Sequence, residues 1–82
     1  MGKKKKQNDS SMRISDAARA AGVTNQTVEY YIMLGMVCPL RRPGNRGRFF
    51  DRALVKRIRL IRRLNQSGYT LGAIRETYLA RR

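Results

Sequence analysis

Histidine is absent from this 82-residue chain, cysteine occurs once, at Cys38, and the only carboxylates are Asp9, Asp16, Glu29, Asp51 and Glu76. Such a chain lacks the usual materials for a metal centre or for an acid–base or nucleophilic constellation, so no enzyme, metal or cofactor is expected. A lone cysteine cannot close an internal disulfide, and Cys38 reads as a small residue on the approach to a strand. The N-terminus has no apolar stretch of the signal-peptide kind, and no run approaches the ~18 apolar residues of a membrane span. The expected location is therefore the cytoplasm, on the nucleoid, with no membrane partner. The opening MGKKKK lacks the Ser or Thr at position six that an acylated Gly2 would want.

Positive charge is what the chain has in quantity. Nineteen Lys and Arg against five Asp and Glu leave a net +14, on a sequence that is still 41% hydrophobic. That balance describes a folded module with a basic surface and an acidic partner. Residues 1–11, MGKKKKQNDSS, show no apolar periodicity and read as a solvated basic arm; residues 12–82 form a single domain.

From Ile14 onward the punctuation is regular. Ser15 is placed to cap a first short helix through Ala21, with Asp16 at its positive end and Gly22 at its stop. Thr24 caps a second helix, Val23 and Val28 have the spacing of a hydrophobic staple, Val28, Tyr31 and Ile32 face inward, and Gly35 ends the run. Ala18, Gly22 and Val28 supply the small crossing residue, the turn glycine and the branched apolar residue that a helix-turn-helix requires. The second helix then presents Asn25, Gln26, Glu29, Tyr30 and Met33 outward. Asn and Gln pair with adenine in bidentate fashion, Glu accepts from cytosine N4, and Tyr reaches a phosphate. Near phosphates an acidic Glu29 is repelled unless it reads a base or pairs with an arginine.

In LRRPGNRGRFF (40–50), Leu40–Arg41–Arg42 and Arg48–Phe49–Phe50 read as two short strands around a turn from Pro43 to Gly47, whose glycines and asparagine tolerate positive φ. Phe50 packs inward, Arg48 inward or beside the groove, and Arg41 or Arg42 and the tip residue Arg46 project out. Beside a helix-turn-helix such a hairpin is a wing, its arginines directed at the phosphate backbone or minor groove. The candidate DNA contacts are thus Ser15, Thr24, Asn25, Gln26, Thr27 and Tyr30 in the helix pair and Arg41, Arg42, Arg46 and Arg48 in the wing.

Asp51 caps a third helix to about Ser67, with Leu54, Ile58, Ile61 and Leu64 as its apolar stripe and Arg52, Lys56, Arg59 and Arg63 on a solvated opposite face. Thr70 caps a fourth, Leu71 to about Ala80, with Leu71, Ile74 and Tyr78 inward. The fold class is mainly α: about four helices and a two-stranded β-hairpin wing.

Three segments in this order, ISDAARAAGVTNQTVEYY (14–31), LGMVCPLRRPGNRGRFF (34–50) and SGYTLGAI (67–74), resemble the N-terminal winged helix-turn-helix domain of the MerR family of bacterial transcription regulators, over about residues 12–80. The resemblance implies a second helix in the major groove, backbone contacts from Tyr30 and Arg48, a wing straddling adjacent phosphates, and dimers that distort promoter DNA. Where the family usually has arginine before the tyrosine pair this chain has Glu29, so that backbone contact does not carry over. The chain stops at Arg82, without the family's long dimerisation helix and effector domain, so no small-molecule effector is expected and self-association would be a dimer or a cooperative array. The expected partner is double-stranded DNA and the function sequence-specific binding in transcription control. The alternatives are an excisionase-like architectural factor that directs recombination and a basic RNA- or ribosome-associated protein, which would usually display a stacking platform of aromatics.

Overall fold

The structure, a computed structural model, describes residues 12–42 and 44–79, less the side chains of Arg42, Asn45, Arg46 and Leu79. The basic arm expected at residues 1–11 lies outside it. Helix α1 spans Ile14–Ala21, α2 Asn25–Met33, strand β1 Leu40–Arg42, β2 Asn45–Phe49, α3 Arg52–Gln66 and α4 Leu71–Ile74, which runs on into a π-helical turn, Arg75–Leu79.

Helix α1 begins two residues earlier than its cap residues foretell, at Ile14 rather than Asp16. Arg13 stands at the N-cap with no side-chain cap bond, and Ser15 lies inside the first turn rather than before it. The cause is tertiary: Met12 exchanges two 2.8 Å backbone hydrogen bonds with Phe50, and this bridge fixes the chain's approach to α1 without a capping hydroxyl. The helix stops where expected, at Gly22 with φ 77°. There the Gly22 and Val23 amides donate to the Arg19 and Ala18 carbonyls at 3.1 and 2.9 Å, closing the last turn with a left-handed residue that costs glycine nothing. Thr24 caps α2 by accepting from the Thr27 amide at 3.1 Å. Asp51 and Thr70 do the same for α3 and α4, from Leu54 at 2.9 Å and Ala73 at 3.0 Å.

Helix α1 packs on α2 and α3, and α4 packs on α3. Between them lies one core of Ala17, Ala18, Ala21, Val28, Tyr31, Met36, Val37, Phe50, Val55, Ile58, Ile61 and Ile74. Ala18 and Val28, the two packing positions the helix-turn-helix spacing demands, are both buried. On α3 the deepest residues are Val55, Ile58 and Ile61, with Leu54 and Leu64 half-buried at the stripe's edges. Its opposite face is not purely solvated, because Arg59 Nη2 donates to the Ala20 carbonyl at 2.8 Å and so occupies an orphan acceptor at the C-terminus of α1. Arg57 Nε likewise donates to the Met36 carbonyl at 2.6 Å, tying α3 to the segment before the wing.

Tyr78 departs from its expected inward place. It is 43% exposed and meets Tyr69 edge-on at 5.9 Å between ring centroids, while Ile74 alone of the fourth helix is fully buried. The change from α- to π-type winding at Arg75 rotates the following residues off the apolar stripe that a constant 100° step projects. Ala80, its expected end, lies outside the described residues.

Candidate nucleic-acid interface

The hairpin is tighter than its sequence implies. Strands β1 and β2 are antiparallel, pairing Leu40 with Phe49 and Arg42 with Asn45, and a register shift between Leu40 and Arg42 marks a bulge. Strand β2 therefore starts at Asn45, not Arg48, so Asn45, Arg46 and Gly47 belong to the ladder. Arg46 is a strand residue rather than the tip. Gly44, just before β2, takes φ 76°; Pro43 lies outside the described residues. Phe50 leaves the strand for its bridge to Met12.

Alternation along β2 sends Phe49 and Arg48 to different sides. Phe49 lies under the guanidinium of Arg13, 5.3 Å from its ring centroid. That guanidinium also crosses Gly47, where a Cβ would stand 3.3 Å from Arg13 Nη1, a tight contact that the flexible end of the arginine would have to ease. Arg13, Ile14, Arg41, Gly47 and Arg48 line one cleft of about 400 Å³, a basic hollow where α1 meets the wing.

Arg48 reaches from the wing to the second helix. Its Nη1 and Nη2 donate to Glu29 Oε1 and Oε2 at 3.1 and 2.8 Å, a two-pronged pair between groups 19 residues apart. The wing thus stands beside the outward face of α2. These bonds hold the Glu29 carboxyl below the usual glutamate range, against a smaller upward push from desolvation. A carboxyl lowered on folding lends stability above its unfolded pKa and loses it as pH falls through the folded value. The pair is therefore intact at neutral pH. Titration of the Glu29 carboxyl by NMR should give a midpoint below the ordinary glutamate range, and Arg48→Ala should return it upward; an unchanged midpoint would show that the pair does not form in solution.

The outer face of α2 carries the residues expected there. Asn25, Gln26, Glu29, Tyr30 and Met33 are all exposed, Met33 by 74%. Asn25 Nδ2 donates to Ser15 Oγ at 3.3 Å, so the first turns of the two helices join at the surface, where Asn25 is exposed. Ser15, displaced from its capping role, becomes the partner that orients Asn25. Thr24 and Thr27 hydroxyls lie 3.0 Å apart and, with Gln26, Glu29, Tyr30 and Met33, line a groove of about 580 Å³ whose far wall is Arg62, Asn65 and Leu71. Tyr31, on the inner side, has its phenol pushed up by burial, partly offset by the charge of Arg62. Arg41 is exposed on β1; the side chains of Arg42 and Arg46 lie outside the described set.

Sequence reasoning missed two cations. Arg13 joins the wing only because Met12 bridges Phe50, a pairing between distant segments. Arg62, on α3, lines the groove along α2; its place on the edge of the apolar stripe, beside Ile61, was the available signal. Among the described residues no group of three or more His, Cys, Asp or Glu side chains gathers to hold a metal, and no helix is long and apolar enough to cross a membrane.

Two helices at a glycine turn, with an antiparallel hairpin salt-bridged to the second, define a winged helix-turn-helix. The profile of the MerR HTH family of regulatory proteins matches residues 12–80, and the chain belongs to that family. It is 36% identical over 64 residues to the nodulation protein NolA of Bradyrhizobium elkanii, covering 78% of this chain and 29% of NolA. Over 46 residues, 56% of this chain and 32% of the relative, it is 46% identical to the HTH-type transcriptional regulator CueR of Bacillus subtilis. Among solved structures it is similar to the transcription regulator PbrR691 of Ralstonia metallidurans CH34, crystallised with lead(II), at a TM-score of 0.73 and 31% identity over 79% of this chain and 51% of that one. The chain thus spans about half or less of the length of each of these relatives.

Proposed function

We propose that the chain binds double-stranded DNA sequence-specifically to regulate transcription, with α2 in the major groove and the arginine-rich wing on the adjoining backbone or minor groove. The observation that carries this reading is the Arg48–Glu29 pair, which brings wing and helix to one side of the molecule. Asn25 and Gln26, in the first turn of α2, meet base edges, and Tyr30 a phosphate. Thr24, Thr27 and Ser15 support that first turn, while Arg41, Arg42, Arg46 and Arg48 hold the wing to the sugar-phosphate chain. The lysines of residues 1–11 add attraction that carries no sequence information.

Selection of bound duplexes from a random pool tests the reading. A short enriched motif is expected; an inverted repeat would identify a dimer, a direct repeat an array and a single site a monomer. Binding without enrichment would contradict it. Once the motif is known, Gln26→Ala should flatten preference at one base pair by ~1–3 kcal/mol and leave the salt dependence alone. Arg41→Ala should weaken all duplexes alike and lower the salt slope by about 0.9. Filter binding or anisotropy at several ionic strengths separates the two effects, and their interchange would mean that helix and wing have exchanged roles.

A further inference from the structure

Resting on that reading of α2, we infer that Glu29 is a specificity-determining residue that selects a base carrying an exocyclic amine, cytosine or adenine, and that Arg48 is what permits a carboxylate to stand there.

A bare carboxylate on a DNA-reading helix is repelled by the phosphates on both sides of the groove. Glu29 is not bare. Both its oxygens are held by Arg48, at 3.1 and 2.8 Å, so the unit that faces outward carries no net charge. Each oxygen has two lone-pair directions and spends one on the arginine, leaving one apiece. The side chain is still 50% exposed, on the same face as Gln26 and Met33, so those lone pairs are open to a ligand. A carboxylate at neutral pH only accepts. In the major groove cytosine offers N4–H₂ and adenine N6–H₂, whereas guanine O6 and thymine O4 are themselves acceptors. Glu29 therefore discriminates in two ways, by bonding the amino bases and by opposing its lone pairs to those of the carbonyl bases. Arg48 spends two of its five N–H donors on Glu29 and keeps three, enough to hold a phosphate at the same time. Wing and helix then act as one reader, in which the backbone contact sets the position of the base contact.

The experiment uses the full 82-residue chain, with thermal unfolding of each variant as a check on folding. Random-pool selection with Glu29→Gln, whose amide both donates and accepts, should widen one position of the motif from cytosine or adenine to all four bases while the other positions keep their preference. At that position the selected base is then replaced by its analogue without the amine, 2-pyrimidinone for cytosine or purine for adenine. The unsubstituted chain should lose at least about fivefold in affinity, the lower end of one base-edge pairing, and Glu29→Ala should be indifferent to the same replacement. Which analogue is felt identifies the base. Arg48→Ala should lower affinity for every duplex and erode the same single preference, the outcome expected of a residue that positions Glu29. A selective parent whose motif survives Glu29→Gln unchanged, whether or not affinity for all duplexes rises with the lost negative charge, overturns the inference and leaves the DNA-reading proposal standing. A parent chain with no preference for any sequence overturns both.

Discussion

Phe50→Ala should lower the melting temperature by about 12–40 °C, or leave no cooperative transition. Phe50 heads the fully buried side chains by volume and has 0% exposure. Truncation at such a site removes the transfer free energy of the ring and leaves a cavity, together ~3–5 kcal/mol. A domain of this size has only ~5–15 kcal/mol in hand, and small domains lie at the low end because they bury a smaller share of their surface. For 60–100 residues each kcal/mol moves the midpoint by roughly 4–8 °C. The site is a junction as well as a packing position. The Phe50 backbone pairs with Met12, which brings in Arg13 and the start of α1, and Asp51 immediately afterwards caps α3. Circular dichroism against temperature reads the effect. Phe50→Leu, which keeps most of the volume, should cost far less, and equal melting of Phe50→Ala and the parent would mean that the core is built elsewhere.

The affinity of the chain for duplex DNA should collapse with salt. Arg13, Arg41 and Arg48 line the hollow beside the wing, Arg62 flanks α2 on the other side, and the sequence adds Arg42, Arg46 and the lysines at positions 3–6. If these neutralise ~5–8 phosphates, log affinity falls against log salt with a slope of about −4.5 to −7. Between ~50 and ~200 mM salt that is a loss of about 500-fold to about 16,000-fold. The Arg48–Glu29 pair holds the value below what a count of cations gives, because Arg48 already has an anion. Titrations at four or five ionic strengths measure the slope, and a value near −1 would mean that the basic surface faces away from the DNA.

Much of this surface is legible in the sequence because the signals are local. Thr24, Asp51 and Thr70 each satisfy an amide three residues on, and Gly22 stops α1 by a conformation that its lack of a Cβ permits. The outward set on α2 follows from helical periodicity and the inward pull of Val28 and Tyr31. Features set by contacts between distant segments were not legible. The Met12–Phe50 bridge replaced Ser15 as the organiser of α1's start and brought Arg13 onto Phe49. The bulge in the hairpin moved Arg46 from turn to strand, since a register shift of this kind leaves no mark in a three-residue strand pattern. Tyr78 swung outward because winding changed at Arg75. For Glu29 the sequence offered two alternatives, a base or an arginine; the geometry supplies the arginine, at 2.8 Å, and leaves the base to be tested.

Amide chemical-shift mapping of the isotope-labelled chain, titrated with its selected duplex, tests the central claim most directly. The largest changes should fall on Asn25, Gln26, Glu29, Tyr30 and Met33, on β1 and β2, and on the side-chain signals of Arg13 and Arg48, with the outer face of α3 at Arg52, Lys56 and Arg63 nearly still. Changes concentrated on that α3 face, with α2 silent, would contradict it.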